Sequence, residues 1–142
     1  MNLATLNTYS VHSEFVDIQS VDMHSFYKYI MVSDKTATDV NTVYLVKYGI
    51  ATNTSTSQSY MNYESKRVIY TGGHETTLWV DKAHSTTYIV DKKADSIYYF
   101  IHGNATDTTQ PTLLYSSCAK LVCQPGFVTG DPSKNELYWV NT

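Results

Sequence analysis

The chain has 142 residues and a mass of 16.1 kDa, which fits one domain and leaves little room for a second. Its formal net charge of −3 gives no basic footprint for nucleic acid or for an anionic membrane surface, and no apolar run approaches the ~20 residues of a membrane-spanning helix. The 13 Tyr residues and the many β-branched residues exclude a disordered chain, because disordered chains are poor in both.

Short runs of β-branched and aromatic residues, separated by Thr, Ser, Asn, Gly and Asp, extend along the chain. The first kind of residue suits a pleated sheet and the second kind forms turns. No long window has helical periodicity. The sequence therefore predicts an all-β fold of about twelve strands, with runs at 15–18, 26–29, 30–32, 43–46, 60–63, 68–70, 78–80, 87–90, 113–115, 121–123, 126–128 and 137–140.

A Tyr-x-Val pattern that follows a polar turn occurs three times, at Tyr44, Tyr88 and Tyr138. Each copy is preceded by an apolar run, at 30–32, 78–80 and 126–128, so each copy reads as one hairpin. Asn53 and Asn104, two N-glycosylation acceptor patterns, also fall at equivalent places and are interpreted first as a repeated polar turn. These repeats predict a single domain, 1–142, of three units at roughly 1–46, 47–90 and 91–142.

Three units of about four strands resemble the β-trefoil, and the hairpins resemble the ricin-B-type and fungal lectin-like trefoils, which include the light subunit of mushroom tyrosinase. The ricin-type module ends in Gln-x-Trp, whereas this chain has Thr42-x-Tyr44, Thr86-x-Tyr88 and Glu136-x-Tyr138. The resemblance implies a closed six-stranded barrel capped by three hairpins. It also implies a lectin, a non-enzymatic carbohydrate-binding protein.

Carried over from the resemblance, the second unit offers the better sugar site. A pyranose has an apolar C–H face and a polar rim, so a site needs one aromatic ring and a few fixed polar groups. Trp79 falls at the stacking place, and Asn62 or Glu64 falls at the acidic place. Asp81 and His84 lie in the same turn and could add hydrogen bonds.

The third unit offers a second candidate set, Phe127 with Asn135, and with Asp131 in its turn. The second unit has Ser85 where the family has Asn, and the first unit has Asn41 but no ring at the stacking place. One or two working sites at most are therefore expected.

Other readings of the same residues remain open. Trp79 alternates with Leu78 and Val80, so it can equally be a core residue. The alternative function is a protein-interaction module, an inhibitor or an accessory subunit of an enzyme, that presents the polar loops 52–59 and 106–111. A structural protein is a third class. No nucleophile–base arrangement, cofactor motif or metal-ligand cluster is recognisable, so neither an enzyme nor a cofactor nor a metal is predicted.

Cys118 and Cys123 are the only cysteines. If 118–123 is a strand, their odd spacing places the two side chains on opposite faces, which predicts two reduced thiols rather than a disulfide. No secretory leader is recognisable at the first residues, which favours a cytoplasmic location without excluding secretion.

Overall fold

The computed structural model describes residues 15–73, 75–102, 109–116 and 123–142. These residues form ten β-strands and one short 3-10 helix, Pro132–Lys134, which confirms the all-β prediction. The strands, numbered in chain order, are β1 (Ile18–His24), β2 (Tyr29–Ala37), β3 (Val40–Thr52), β4 (Ser59–Gly72), β5 (Thr76–Asp81), β6 (Thr86–Asp91), β7 (Ser96–Ile101), β8 (Thr112–Ser116), β9 (Pro125–Asp131) and β10 (Glu136–Asn141).

Each strand pairs antiparallel with the next strand of its sheet. Sheet 1 has the order β1-β2-β3-β4, sheet 2 has the order β5-β6-β7-β8, and sheet 3 consists of β9 and β10. Sequential antiparallel pairing requires only tight turns, and the polar segments of the sequence supply them. The hairpin of β3 and β4 is the longest, with strands of 13 and 14 residues.

The three sheets are stacked through their first strands, because β1 lies against β5 and β5 lies against β9. Two backbone N–H groups on the edge of β5 that does not pair with β6 donate hydrogen bonds to side chains of sheet 1. Ser20 Oγ accepts a hydrogen bond from the Leu78 N–H at 3.2 Å, and Asp22 Oδ2 accepts one from the Val80 N–H at 2.7 Å. This side-chain capping covers a strand edge that would otherwise expose unpaired backbone groups.

Two apolar cores lie between the sheets, and each fully buried aliphatic side chain in them contributes about 1.5–3 kcal/mol to folding. Successive side chains of a strand point to opposite faces of its sheet. In sheet 2, one set therefore packs against sheet 1 and the other set packs against sheet 3. The first core joins Met31, Val43, Leu45 and Ile69 of sheet 1 to Leu78, Val80, Ile89 and Phe100 of sheet 2. The second core joins Val90 and Ile97 of sheet 2 to Val128 of sheet 3.

Four of the turns between strands begin with an Asx turn, at Asn53, Asp81, Asp91 and Asp131. Asp81 Oδ1, at the start of the β5–β6 turn, accepts hydrogen bonds from the backbone N–H groups of Ala83 and His84 at 3.0 and 3.1 Å. Such an Asx turn favours a tight reversal, and a residue in the left-handed region completes it. Non-glycine residues with positive φ close these four turns, at Ser57, Ser85, Asp95 and Asn135, and Lys28 closes the β1–β2 turn in the same way.

The twelve-stranded β-trefoil is not confirmed. A trefoil requires a closed six-stranded barrel, whereas the described residues form ten strands in three open sheets. The sheets instead follow one another, with the first strands β1, β5 and β9 in contact in succession. Sheet 1 ends at Gly72 and sheet 2 begins at Thr76, so the predicted unit boundaries at 46 and 90 fall inside β3 and inside β6.

Two of the three predicted hairpins occupy equivalent positions in their sheets, and the first does not. The runs 78–80 with 87–90 and 126–128 with 137–140 form the hairpins β5–β6 and β9–β10, as predicted. The structural equivalent in sheet 1 is β1–β2, whereas the runs 30–32 and 43–46 form β2–β3. The predicted strand at 26–29 is mostly a turn, because Lys28 adopts a φ of 56° and β2 begins only at Tyr29.

The prediction of two reduced thiols is wrong for Cys123, which is disulfide-bonded. The prediction assumed a strand over 118–123, but Cys123 lies in a bend before β9, so the strand-face argument does not apply to it. Cys118 and residues 121–122 lie outside the described residues, as do Asn104 and the first half, 106–108, of the loop 106–111.

Candidate functional site

A cleft of about 120 Å³ opens between the turn of β5–β6 and the turn of β9–β10. Five of the eight residues predicted to bind carbohydrate line this one cleft, although the sequence assigned them to two separate units. Residues of sheets 2 and 3 meet here because β9 packs against β5 and β6. The lining residues are Trp79, Asp81, His84, Tyr88, Asp131, Pro132, Asn135, Glu136 and Leu137.

Two stacked rings form the aromatic wall of the cleft. Trp79 and Tyr88 are opposite partners in the β5–β6 ladder, and their ring centroids lie 5.6 Å apart at an angle of 20°. Burial, together with the negative charge of Asp81, raises the pKa of the Tyr88 hydroxyl, so Tyr88 stays a neutral hydrogen-bond donor at neutral pH. Both rings are half-buried, and Trp79 also packs against the core between sheets 2 and 3.

Glycine at position 130 allows the aromatic wall to approach β9. A Cβ at Gly130 would lie 2.7 Å from Cη2 of Trp79 and 2.6 Å from the Glu136 carbonyl oxygen. Neither distance is tolerated by a real Cβ, and the Glu136 carbonyl is a backbone atom of the β9–β10 ladder, which cannot swing aside as the end of a side chain can. Gly130 therefore fixes the position of the Trp79 ring in the cleft wall.

A carboxylate–imidazole pair forms the polar wall on the side of sheet 2. Nδ1 of His84 lies 2.7 Å from Oδ2 of Asp81, while Oδ1 of Asp81 accepts two backbone N–H groups of its own turn. The Asp81 side chain is only 6% exposed and the His84 side chain is 48% exposed. A buried carboxylate thus holds an accessible imidazole in one orientation, with its other ring nitrogen free to face a ligand.

Sheet 3 supplies the opposite wall from the turn after β9. Asp131 Oδ1 accepts hydrogen bonds from Ser133 N at 3.0 Å and from Ser133 Oγ at 2.6 Å, and Lys134 Nζ lies 3.2 Å from Oδ2. These donors lower the pKa of the Asp131 carboxyl, with the Ser133 hydroxyl as the largest cause. Asn135 closes the turn in the left-handed conformation, which Asn tolerates better than most residues.

Three predicted site residues lie away from the cleft. Asn62 and Glu64 are exposed on β4, the last strand of sheet 1, where Glu64 Oε2 lies 3.7 Å from Lys47 Nζ. Phe127 is exposed on the face of β9 that points away from sheet 2. Tyr88 was not predicted as a site residue, although the predicted pairing of run 78–80 with run 87–90 could have placed it beside Trp79.

A second, larger cavity of about 330 Å³ lies at the opposite end of the sheet 2 strands, beside the β6–β7 turn. Its lining is charged and contains no aromatic ring among the described residues, and Lys92 Nζ and Glu75 Oε2 form an ion pair of 2.7 Å there. The lining residues are Asp39, Glu75, Lys92, Lys93, Asp95 and Gln124. It lacks the apolar platform that a sugar ring requires.

No family model, curated protein or solved structure matches this chain. Within the residues that the structure describes, no three metal-ligating side chains come together, and no helix is long and apolar enough to cross a membrane.

Proposed function

We propose that this protein binds carbohydrate without catalysing a reaction on it, and that the cleft between sheets 2 and 3 holds one sugar ring. One observation carries the proposal: Trp79 lines the same cleft as the Asp81–His84 pair and Asn135. An aromatic face opposite fixed polar groups is the combination that a pyranose requires. The cleft volume of about 120 Å³ suits one ring and not a long oligosaccharide.

We infer binding without catalysis from the hydrogen bonds that the Asp81 and Asp131 carboxylates already make. Both oxygens of Asp81 accept hydrogen bonds within its own turn, and so do those of Asp131 with Ser133 and Lys134. A carboxylate held this way is a fixed acceptor for hydroxyl groups, and the pKa of the Asp131 carboxyl is lowered by its hydrogen bonds to Ser133 and Lys134. Glycoside hydrolysis would instead need one carboxyl group with a raised pKa as the proton donor.

The test is binding to a broad glycan array by the native protein and by three variants. We expect the native protein to bind a defined set of glycans, His84→Ala to bind them more weakly, and Trp79→Ala to lose them. Phe26→Ala is the matched control, because Phe26 is equally aromatic but lies exposed in the β1–β2 turn, on another sheet. Absence of binding by the folded native protein, or equal binding by all variants, would refute the proposal.

The alternative function, a protein-interaction module, is favoured by the tip of the β3–β4 hairpin. Asn53 Oδ1 accepts the backbone N–H groups of Ser55 and Thr56 at 2.9 and 3.3 Å, and the Asn53 N–H donates to the Gln58 carbonyl at 2.8 Å. The tip is thus exposed and held by its own hydrogen bonds, as a reactive loop of an inhibitor must be. Inhibition of a protease panel that Asn53→Ala weakens would favour this alternative over the lectin.

The bonded Cys123 bears on location, since disulfides persist in oxidising compartments and are rare in the cytosol. We propose an oxidising compartment rather than the cytoplasm predicted from the sequence. Alkylation of protein isolated from its native source, with and without prior reduction, tests this. Two alkylated thiols without reduction would favour the cytoplasm.

A further inference from the structure

The charged side chains that line the cleft between sheets 2 and 3 are mostly of one sign. Three carboxylates line it, those of Asp81, Asp131 and Glu136, and no Lys or Arg does so among the residues that the structure describes. Lys134, whose Nζ lies 3.2 Å from Asp131 Oδ2, offsets part of this charge, but its side chain is 64% exposed and lies outside the lining. A concave site with such a lining holds a negative potential.

Two tyrosines beside the cleft are affected by this negative charge. Burial, and secondarily the charge of Asp81, raises the pKa of Tyr88 on one wall. On β10, a hydrogen bond to Glu136, together with burial and the charges of Glu136 and Asp131, raises the pKa of Tyr138. Nearby negative charge shifts a tyrosine in this direction because it disfavours the phenolate. The carboxylates therefore act on both sides of the cleft.

The best-shielded of the three carboxylates lies beside the aromatic wall. Asp81 and Trp79 are two positions apart in β5, so their side chains point to the same face of the strand. The Asp81 side chain is only 6% exposed, so solvent and salt screen its charge less than they screen a surface charge. A ring face and a carboxylate both attract positive charge, and together they favour a cationic ligand.

We propose that the sugar held in this cleft is an amino sugar, with its protonated amino group facing the three carboxylates and its C–H face packed on Trp79. The inference rests on the proposed function, because it concerns the ligand of the same cleft. A neutral sugar keeps the stacking and the hydroxyl hydrogen bonds but lacks the charge-assisted hydrogen bond. An acidic sugar places like charge against the carboxylates and is disfavoured.

Titration calorimetry with matched sugars tests the sign of the ligand charge. The series compares 2-amino-2-deoxy pyranoses of gluco, galacto and manno configuration with their parent sugars, in which a hydroxyl group replaces the ammonium group, and with the corresponding uronic acids. We expect the amino sugar to bind about tenfold more tightly than its parent. The uronic acid should bind more weakly than the parent. Raising the ionic strength should weaken the binding of the amino sugar and not that of the parent, since salt screens the attraction between charges.

Two conservative variants identify the carboxylates that act on the ligand. Asp131→Asn and Glu136→Gln each remove one charge and keep an oxygen acceptor for the hydrogen bonds of the native side chain. Each should lower the ratio of the two affinities, amino sugar to parent, about threefold. Asp95→Asn is the matched control, because it removes the same charge at the opposite end of the sheet 2 strands and keeps an acceptor for the Gln124 N–H. It should leave the ratio unchanged.

The results separate the failure of this inference from the failure of the proposed function. Equal affinity for amino sugars and parent sugars, or a preference for uronic acids, would overturn the inference, while loss of that binding in Trp79→Ala would still support a lectin cleft. A preference for amino sugars that survives both Asp131→Asn and Glu136→Gln would also refute the inference, because the ammonium group would then bind elsewhere. No binding of any sugar by the folded native protein would refute both.

Discussion

Asp22 reaches from sheet 1 to the backbone of Val80 in sheet 2, with Oδ2 of the carboxylate accepting the Val80 N–H at 2.7 Å. The edge of a β-strand is thereby satisfied by a side chain rather than by another strand. The bond explains how the free edge of β5 can lie against the face of sheet 1 at β1 and still leave no unpaired donor at Val80.

Removing that carboxylate should destabilise the contact between the two sheets. We expect Asp22→Ala to lower the free energy of unfolding by about 1–3 kcal/mol, because the Val80 N–H stays buried without an acceptor. Urea denaturation measures the loss. Asp22→Asn keeps one carbonyl oxygen of the same reach and should recover most of the stability, so equal losses for both variants would argue against this role.

Asp81 should matter for stability as well as for the cleft. Asp81→Ala removes the acceptor of the Ala83 and His84 N–H groups and the partner of the His84 ring, which should cost about 1–3 kcal/mol. The matched variant is Asp131→Ala, at the same position of the β9–β10 turn but with a side chain that is 34% exposed against 6% for Asp81, and it should have the smaller effect. Thermal melts of the two variants side by side give the comparison, and a larger effect at Asp131 would contradict it.

Gly130→Ala should displace the Trp79 ring. The added Cβ would meet the Glu136 carbonyl at 2.6 Å, so the chain must shift at a cost of about 1–3 kcal/mol. The shift should alter the tryptophan fluorescence. Gly126→Ala is the control, because its Cβ meets only side-chain atoms of Thr142. Unchanged fluorescence and stability in Gly130→Ala would mean that the cleft wall is not fixed by this contact.

Lys28 adopts a φ of 56°, a conformation that costs most L-residues about 1–2 kcal/mol. Lys28→Gly should therefore stabilise the protein, by up to about 1 kcal/mol after the greater entropy of glycine in the unfolded chain is included. Lys82→Gly, in the equivalent turn at a position without positive φ, should destabilise it. Melting temperatures that move in the same direction for both variants would contradict this interpretation.

Acid should weaken the contact between sheets 1 and 2 at His102. Burial, and secondarily the neighbouring His24 ring at 5.8 Å, lowers the His102 pKa to about 4 from its usual 6.5. Its Nε2 lies 2.6 Å from Thr87 Oγ1, and Tyr27, Tyr29 and Phe100 surround the ring. Because the unfolded chain takes up the proton first, stability should fall as the pH drops from about 6.5 to about 4.

Urea denaturation of His102→Gln at several pH values isolates this effect. Carboxylates also titrate in part of the window, so the comparison is between the slopes of the native protein and the variant. We expect the variant to lose stability less steeply between pH 6.5 and pH 5. Parallel slopes would show that His102 does not couple folding to protonation.

The all-β class and two hairpins could be predicted because alternation and turn residues are local signals. Leu78–Val80 and Thr87–Val90 pair across one polar turn, and the pattern needs no distant contact to be read. The β1–β2 hairpin was missed because its turn lacks such a local signal. Lys28 gives no sign of a left-handed turn, since the sequence signal for that conformation is Gly or Asn.

The way the sheets assemble could not be read from the chain. A trefoil and a stack of sheets both repeat short hairpins, and they differ in which edges meet over long sequence distances. The hydrogen bond from Leu78 to Ser20 joins residues 58 positions apart in the sequence, and no local sequence pattern predicts it. Trp79 and Asp131 were assigned to different sites for the same reason, although both line one cleft.

The stacking of the sheets has a consequence for how the protein unfolds. Among the described residues, the principal contacts between sheets join sheet 1 to sheet 2 and sheet 2 to sheet 3. Stability in such an array behaves approximately as a sum of nearest-neighbour terms, as in repeat proteins. Sheet 3, with two strands and one neighbour, is then the unit that opens first, and hydrogen exchange should be fastest in β10, slower in β1 and slowest in β6.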